Sequence, residues 1–578
     1  MVLSIKGAQI ADVYSGVFRQ ADVFIEDGII IEERDAGGAN TVDETIDASG
    51  KYLLPAFIDS HIHIESSFLK PSELGRLLLP HGTGTIISDP HEIVNVCGLA
   101  GLDWMLEDAK NAPIDIKFAM PSCVPVTAFE DNGTEPVTAA LMEKYFADPA
   151  YKDRIIALGE VMNYKAVIVG DTDMQQKLSL AKRYGKIIDG HSPGLKGPDL
   201  QKYASAGVQT DHECSTQEEM QERLALGMYV QLRYGSAAKN MLNLLPGLVK
   251  DDVKNFRHCL LCTDDLSVET ITEEGHIDNL LRLAVAHGLP AIEAVRMVTL
   301  NAAECYGLKD RGAMAPGLRA DLVLVDDVRD FRVFRVFNSH ERHKQHEPFE
   351  QIPEHNLKYT INIKDFGVDK LKVDVDSPVI GVHPDTLITD WGVWADNYPP
   401  IRRGRFKTCP YMPHGNPNGI PHNAPNKIAV IERHRGTGLA SAALVQGFGL
   451  QEGAIAQSIA HDSHNIIALG ADGLNGSTDK DMVFAVRRLE ALNGGIVIVA
   501  DEKVLAELPL SIAGLVSSLP GEQVAEKFKA IKAATEELGM PPSFEPVLNL
   551  AFMSLIVIPH LKITCRGLFD VDRFTFLK

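Results

Sequence analysis

The chain has 578 residues, of which 56 are Lys or Arg and 78 are Asp or Glu, for a formal net charge of −22. Apolar residues make up 45% and charged residues 23%, an ordinary globular composition that excludes wholesale disorder. The acidic balance excludes a nucleic-acid polymer as main partner, because phosphate backbones are held by clustered Lys and Arg. No apolar run reaches the roughly 18–20 residues of a membrane span, and the longest, Leu550–Pro559, is too short.

Residues 2–54 read as a small β-unit. Val2–Ile10, Gln20–Ile25 and Ile29–Glu33 alternate apolar and polar residues, and Glu26-Asp27-Gly28 supplies the turn chemistry between the last two. Met1–Ile10 has no basic segment followed by an apolar one, so no secretory signal is expected. The eight Cys lack regular spacing, which predicts free thiols in a reducing, cytoplasmic compartment.

From residue 55 to 309 the pattern changes. Short apolar segments recur at Leu53–Ile58, Gly84–Ser88, Ile114–Met120, Ile155–Gly159, Lys186–Asp189, Val208–Thr210, Tyr229–Leu232 and His258–Thr263. Between them lie amphipathic stretches such as Pro71–Leu79, Thr138–Phe146, Asp173–Tyr184, Pro198–Ala206 and Ser215–Leu226. Strands alternating with helices predict a parallel sheet, and eight such units over about 250 residues match an α/β (β/α)8 TIM-like barrel. An open doubly wound sheet is the alternative on pattern alone. Residues 310–336 return to the opening style, so the β-unit of 1–54 is expected to be split around the barrel as a β-sandwich. Residues 337–358 read as a polar linker whose four His are either a solvated loop or a metal tract. Residues 359–578 form an additional C-terminal α+β domain, with strands expected at Lys427–Arg433 and Gly494–Ala500.

The strongest chemical signal is His61-Ile62-His63 at the end of the first barrel strand. Residues i and i+2 of a strand point to the same side, so both imidazoles can reach one cation. Four further candidate ligands fall at later strand ends, where barrel active sites lie: Glu160, His191, His212 and Asp264. Imidazole mixed with carboxylate suits manganese, iron or zinc. Six ligands exceed a closed four-coordinate structural site and suit two metals bridged by Glu160, one carboxylate oxygen to each. Water shared by two such metals becomes a hydroxide near neutral pH, and Asp264 beside it can accept a proton and pass it to a leaving group.

These residues resemble the amidohydrolase superfamily. More narrowly, DSHIHIESS (59–67), SDPHEI (88–93), DGHSPGLKGPDL (189–200), TDHECST (210–216), CTDD (262–265), APGLRADLVLVD (315–326), VIERHRGTG (430–438) and AHDSHNI (460–466) resemble the adenine deaminase family over nearly the whole chain. The resemblance implies hydrolysis of adenine to hypoxanthine and ammonia at two divalent ions, manganese or iron, with zinc the other choice. It implies that His61, His63, Glu160 and Asp264 hold one ion and Glu160, His191 and His212 the other. Related branches bridge their metals with a carboxylated lysine. Here the fourth strand ends Gly159-Glu160-Val161 and Lys165 lies beyond it, so the bridge is Glu160 itself. A related hydrolase acting on another aminopurine or a cyclic amide is the alternative. A silent scaffold is disfavoured because all six ligands are present.

Other motifs carry two readings each. In Ser88-Asp89-Pro90-His91-Glu92, the side chains of Asp89, His91 and Glu92 are candidate catalytic groups. The same residues can simply start a helix, with Asp89 as N-cap, Pro90 at the first position and Glu92 at the third. Glu65 and Asp265 are candidate substrate contacts. His461 and His464 of the C-terminal domain either reach over the barrel mouth to the substrate or serve structural hydrogen bonds. Cys259 and Cys262 lack the Pro-Cys-x-x-Cys context of the zinc nucleobase deaminases and read as barrel packing. A homo-oligomer, dimer or higher, is expected on general grounds.

Overall fold

The computed structural model describes residues 2–34, 42–250, 256–338, 357, 360–373, 377–384, 386–392, 425–471, 473 and 476–577. Most of the expected linker 337–358 lies outside the described residues, as do residues 393–424 of the C-terminal domain.

The first strands are β1 (Val2–Asp12), β2 (Val17–Glu26), β3 (Ile29–Arg34), β4 (Glu44–Asp47) and β5 (Tyr52–Pro55). Asp27 and Gly28 both take positive φ, 50° and 80°, which is the tight hairpin turn that Asp-Gly favours. β14 (Leu322–Val325) and β15 (Val333–Phe337) join the same sheet, in the order β15-β14-β5-β1-β2-β3 with β4 also on β1. The two sequence-distant pieces thus meet where Leu322–Val325 runs antiparallel to Tyr52–Pro55.

The predicted strand Leu53–Ile58 is two strands. Tyr52–Pro55 belongs to this first sheet, and β6 (Phe57–Ile62) opens the barrel. Pro55 has no N–H to continue a ladder, and Ala56 donates instead to the Asp321 carbonyl. The apolar run hides this break because both halves are buried.

The barrel continues with β7 (Thr83–Ser88), β8 (Asp115–Met120), β9 (Ile155–Val161), β10 (Ile187–Gly190), β11 (Thr210–Asp211), β12 (Tyr229–Arg233) and β13 (Cys259–Cys262). Two parallel sheets, of five and three strands, hold these eight among the described residues. One seam is closed by Gln209 N–H donating to the Ile188 carbonyl. The other is closed by Asp264 N–H on the His61 carbonyl and His63 N–H on the Asp264 carbonyl. The result is a TIM-like α/β domain. Its interior holds a buried cluster of Ile58, Ile87, Ala119, Ala157, Leu260 and Tyr306. Polar residues are left at the C-terminal strand ends. Cys259 and Cys262 are fully buried in β13, as packing requires.

The last part of the chain is built on an eight-stranded sheet among the described residues. Its strands are β16 (Val379–Gly381), β17 (Asp390–Gly392), β18 (Asn426–Ile431), β19 (Ala440–Gln446), β20 (Ala454–Gln457), β21 (Ile466–Gly470), β22 (Gly495–Ala500) and β23 (Lys503–Pro509). Its central strands are apolar on both faces. Ala429, Ile431, Ile466 and Val497 pack under the helix Asp479–Leu492. Ile428, Val430, Ile467 and Ile496 share one continuous core with barrel residues such as Phe68 and Val96. Burial on two sides explains the unbroken runs IAVI and GIVIVA, where a one-sided sheet would alternate. The helix Gly521–Glu537 packs on the barrel as well, with the Phe528 ring 5.3 Å from that of Phe68. Among the described residues no helix is long and apolar enough to cross a membrane.

Candidate active site

His61 closes β6 on its inward side and His63 follows one residue past the strand end. Each ring is oriented from behind. His61 Nδ1 lies 2.8 Å from Asp189 Oδ2, and His63 Nδ1 lies 3.0 Å from the Asp89 carbonyl. With those nitrogens donating, the two Nε2 atoms present lone pairs to each other at 3.2 Å. Lone pairs at that distance repel unless a proton or a cation lies between them, which is how paired imidazoles hold a metal.

Glu160 lies within β9, which runs to Val161 and not only to Gly159. Its N–H donates to Asp89 Oδ2 at 2.8 Å, and a Cβ on Gly159 would sit 2.3 Å from that oxygen. Glycine at 159 is therefore what lets Asp89 approach. The Glu160 carboxylate faces two ways. Oε1 lies 3.3 Å from His63 Nε2 and 3.9 Å from His61 Nε2, while Oε2 lies 2.7 Å from His191 Nδ1 and 3.3 Å from His212 Nε2. Asp264 joins the first group, with Oδ1 3.0 Å from His63 Nε2 and 3.4 Å from His61 Nε2. Its φ of 61° is a left-handed conformation, of the kind that clusters at functional sites. His191 Nε2 and His212 Nδ1 are buried without a hydrogen-bond partner among the described residues. The six sequence-predicted ligands thus converge as two groups sharing one carboxylate. This donor set, dense in imidazole and carboxylate, fits two divalent cations. Lys165 is directed elsewhere. Its ammonium donates to the Val571 carbonyl and lies 4.1 Å above the Phe574 ring, so it bridges nothing here.

Acid dominates the local electrostatics. Burial works against charge on His61, but the Asp189 and Asp264 carboxylates overcome it and raise the imidazole to about 10. His191 is likewise raised to about 9 against burial by Glu213 and Glu160. Burial would raise Asp264, yet Arg233 and the imidazoles hold it well below the ordinary carboxylate range. The same carboxylates that favour a proton on these imidazoles favour any positive charge between them, and a cation bound there would displace those protons.

Two residues at the centre of this network escaped the sequence reading. Arg233 Nη1 lies 2.7 Å from Glu213 Oε1 and 2.6 Å from Asp264 Oδ2, and Nη2 lies 2.9 Å from Glu213 Oε2. Each had a signal. Arg233 is a charged residue ending an apolar barrel strand, and Glu213 directly follows the ligand His212.

Four of the remaining candidates line a cavity of ≈ 290 Å³ of atom-free space; Glu65, Asp89 and His464 do not. His91, Glu92, Asp265 and His461 line it, together with Arg233, Asp462 and an apolar wall of Met162, Leu387, Phe552, Leu555 and Ile558. His91 stands between groups: Nδ1 is 3.5 Å from Glu160 Oε1, and Nε2 is 3.6 Å from both Asp462 Oδ1 and Glu92 Oε1. Asp265 Oδ1 accepts from the Ser66 hydroxyl. Glu92 carries one C-terminal imidazole on each oxygen, His461 Nδ1 at 2.7 Å from Oε1 and His464 Nε2 against Oε2. Glu65 does not line the cavity. One of its oxygens accepts from the Ile93 N–H, and burial together with Glu92 raises it to about 7. Asp89 is not the N-cap expected of it. The helix runs His91–Cys97 from an N-cap at Pro90 with no side-chain cap bond, because the Asp89 carboxylate is spent on the Glu160 N–H. Glu432, in the VIERHRGTG stretch, accepts backbone N–H groups of His434, Arg435 and Thr437 and so shapes a turn.

Comparison with known proteins agrees with this geometry. Residues 52–370 match the model of the amidohydrolase family, and residues 415–575 match that of the adenine deaminase C-terminal domain. Adenine deaminase 2 of Desulfotalea psychrophila is 47% identical over 100% of this chain and 96% of its own. Adenine deaminase of Nitratidesulfovibrio vulgaris (strain DP4) is 43% identical over 99% and 96%, and that of Ligilactobacillus salivarius 41% over 100% and 96%. The chain therefore belongs to the amidohydrolase family, in its adenine deaminase branch.

Proposed function

We propose that this protein hydrolyses adenine to hypoxanthine and ammonia. The observation that carries the reading is Glu160, whose two oxygens each face a different pair of imidazoles. In this reading His61, His63, Glu160 and Asp264 hold one divalent cation and Glu160, His191 and His212 hold a second, manganese or iron before zinc. Such a pair supplies Lewis-acid activation of a water molecule for attack on the ring carbon that bears the amine.

The chain's own groups do the rest. Arg233 occupies Asp264 Oδ2, which leaves Oδ1 facing the imidazoles as the atom that takes the proton from the attacking water. Asp264 then returns that proton to the ring or to the leaving amine. His91, between Glu160 and Asp462, and Asp265 line the cavity, and in this reading they contact the substrate's polar edge. The apolar wall of Leu387, Phe552, Leu555 and Ile558 offers the flat face that a neutral purine needs and keeps bulk water out. We read residues 1–54 with 310–336 as the family's split β-sandwich, 55–309 as the barrel, 337–358 as the linker between barrel and C-terminal domain, and 359–578 as the domain that closes the pocket.

The test is ammonia release from adenine by the as-purified and the manganese-supplemented protein, with metal content measured on both. A panel of other aminopurines and cyclic ureides is run beside adenine. No ammonia from adenine, or faster turnover of another panel member, refutes the assignment.

A further inference from the structure

The barrel alone does not explain what the C-terminal domain adds to the pocket. His461 and His464 sit on the loop between β20 and β21, more than 360 residues from Glu92 in sequence, and both are at most 2% exposed. Glu92 takes one imidazole on each oxygen. The two histidines differ in where they stand. His461 lines the cavity and His464 does not. The His461 ring stacks on Phe552 at 4.4 Å between centroids and 20° between planes, so its tilt is set by packing. Its Nδ1 edge is held by Glu92, and its Nε2 is buried with no hydrogen-bond partner among the described residues. A buried polar nitrogen is stabilised by a hydrogen-bond partner, and a ligand in the cavity can supply one.

We propose that Glu92 and His461 form a carboxylate–imidazole dyad, contributed from two domains, whose Nε2–H donates to a ring nitrogen of the purine. The inference rests on the adenine reading and names the contact by which the C-terminal domain selects that substrate. The groups around His461 support a donor rather than an acceptor. The carboxylates of Glu92, Asp265 and Asp462 raise the imidazole to about 9 against burial. The basic side chain packed against its ring, His464, is itself lowered, first by burial. At neutral pH both His461 nitrogens then carry hydrogen, one for Glu92 and one for the ligand. Phe552, which also lines the cavity, keeps the ring from turning. The dyad neither touches the metal ligands nor moves a proton. It reads an acceptor on the purine.

The experiment compares 1-deazaadenine, 3-deazaadenine and 7-deazaadenine as competitive inhibitors of adenine deamination by the full-length, metal-loaded protein. Each analogue lacks one candidate acceptor. In the wild type, the analogue missing the accepting nitrogen is expected to bind roughly 10–100-fold more weakly than the other two, the range for a hydrogen bond to a charged group. In His461→Phe, which keeps the stacking ring but has no donor, that gap closes while metal content per chain is unchanged. Adenine KM rises more than kcat falls. If the phenylalanine variant does not fold, His461→Asn is used, whose short amide cannot reach the ligand. An unchanged ranking of the three analogues in the variant overturns the dyad. Absence of ammonia from adenine with the wild type overturns the underlying reading instead, so the two failures are distinct.

Discussion

Replacing Glu160 by glutamine is the sharpest perturbation of the site. The change is nearly isosteric, so the β9 backbone and its bond to Asp89 stay in place. One oxygen survives and the other becomes an amide NH2, which presents hydrogens where a lone pair stood. Whichever way the amide turns, it faces either His63, 3.3 Å from Oε1, or His191 and His212, 2.7 and 3.3 Å from Oε2. One group of ligands therefore loses an acceptor, and the site loses one negative charge. Removing one partner of a buried charged pair costs about 3–5 kcal/mol. At about 1.4 kcal/mol per decade that is roughly 10²–10⁴-fold in affinity for one cation. Glu160→Ala, which removes both oxygens, is expected to weaken both. The assay is chelator-competition titration with manganese or zinc, read as metal per chain, beside ammonia release from adenine. Glu160→Gln should retain one metal per chain with turnover lost, and Glu160→Ala should retain less. A glutamine variant that binds two metals at wild-type affinity and turns over adenine would show that Glu160 does not join the two groups.

Asp264→Asn should keep much of the metal and lose roughly 10²–10⁴-fold in turnover, the range for a general acid–base group; metal analysis beside a rate measurement checks it, and metal loss in step with activity contradicts the proton role. Gly159→Ala drives a Cβ to 2.3 Å from Asp89 Oδ2, so it should break the bond to the Glu160 N–H and destabilise the fold by about 1–3 kcal/mol, seen in thermal unfolding; an unshifted transition contradicts the close approach. Lys562 is fully buried with its ammonium on the Leu387 and Phe552 carbonyls, and burial alone lowers it to about 7. Between that value and the unfolded value of about 10.4 the unfolded chain holds a proton that the folded chain lacks. Stability of the wild type should therefore rise with pH across that window relative to Lys562→Met, at up to about 1.4 kcal/mol per pH unit, and parallel denaturation curves for the two proteins would refute it.

Much of the site was legible because its signals are local. The alternation of His61 and His63 depends only on strand geometry. His191, His212 and Asp264 could be placed because each stands one or two residues past the end of a strand, and Glu160 because it stands one residue before the end of one. Where the local pattern is ambiguous, it does not fix the structure. The run Leu53–Ile58 is apolar throughout, so its division at Pro55 between two sheets left no mark on periodicity. Asp89 has the residue type of an N-cap, and only the approach of β9 shows that its carboxylate is committed to Glu160.

The amino-acid sequence by itself determined the donor set, the strand ends that carry it and the class of reaction it can serve, because ligand chemistry and strand periodicity are properties of a few neighbouring residues. Tertiary structure alone decided which distant partners those residues keep. Arg233 bonds both Glu213 and Asp264, Leu322–Val325 lies on Tyr52–Pro55, and Glu92 is held by two histidines from the far end of the chain. Such pairings arise when faces of different elements pack together, and nothing in the local pattern of either partner encodes the other.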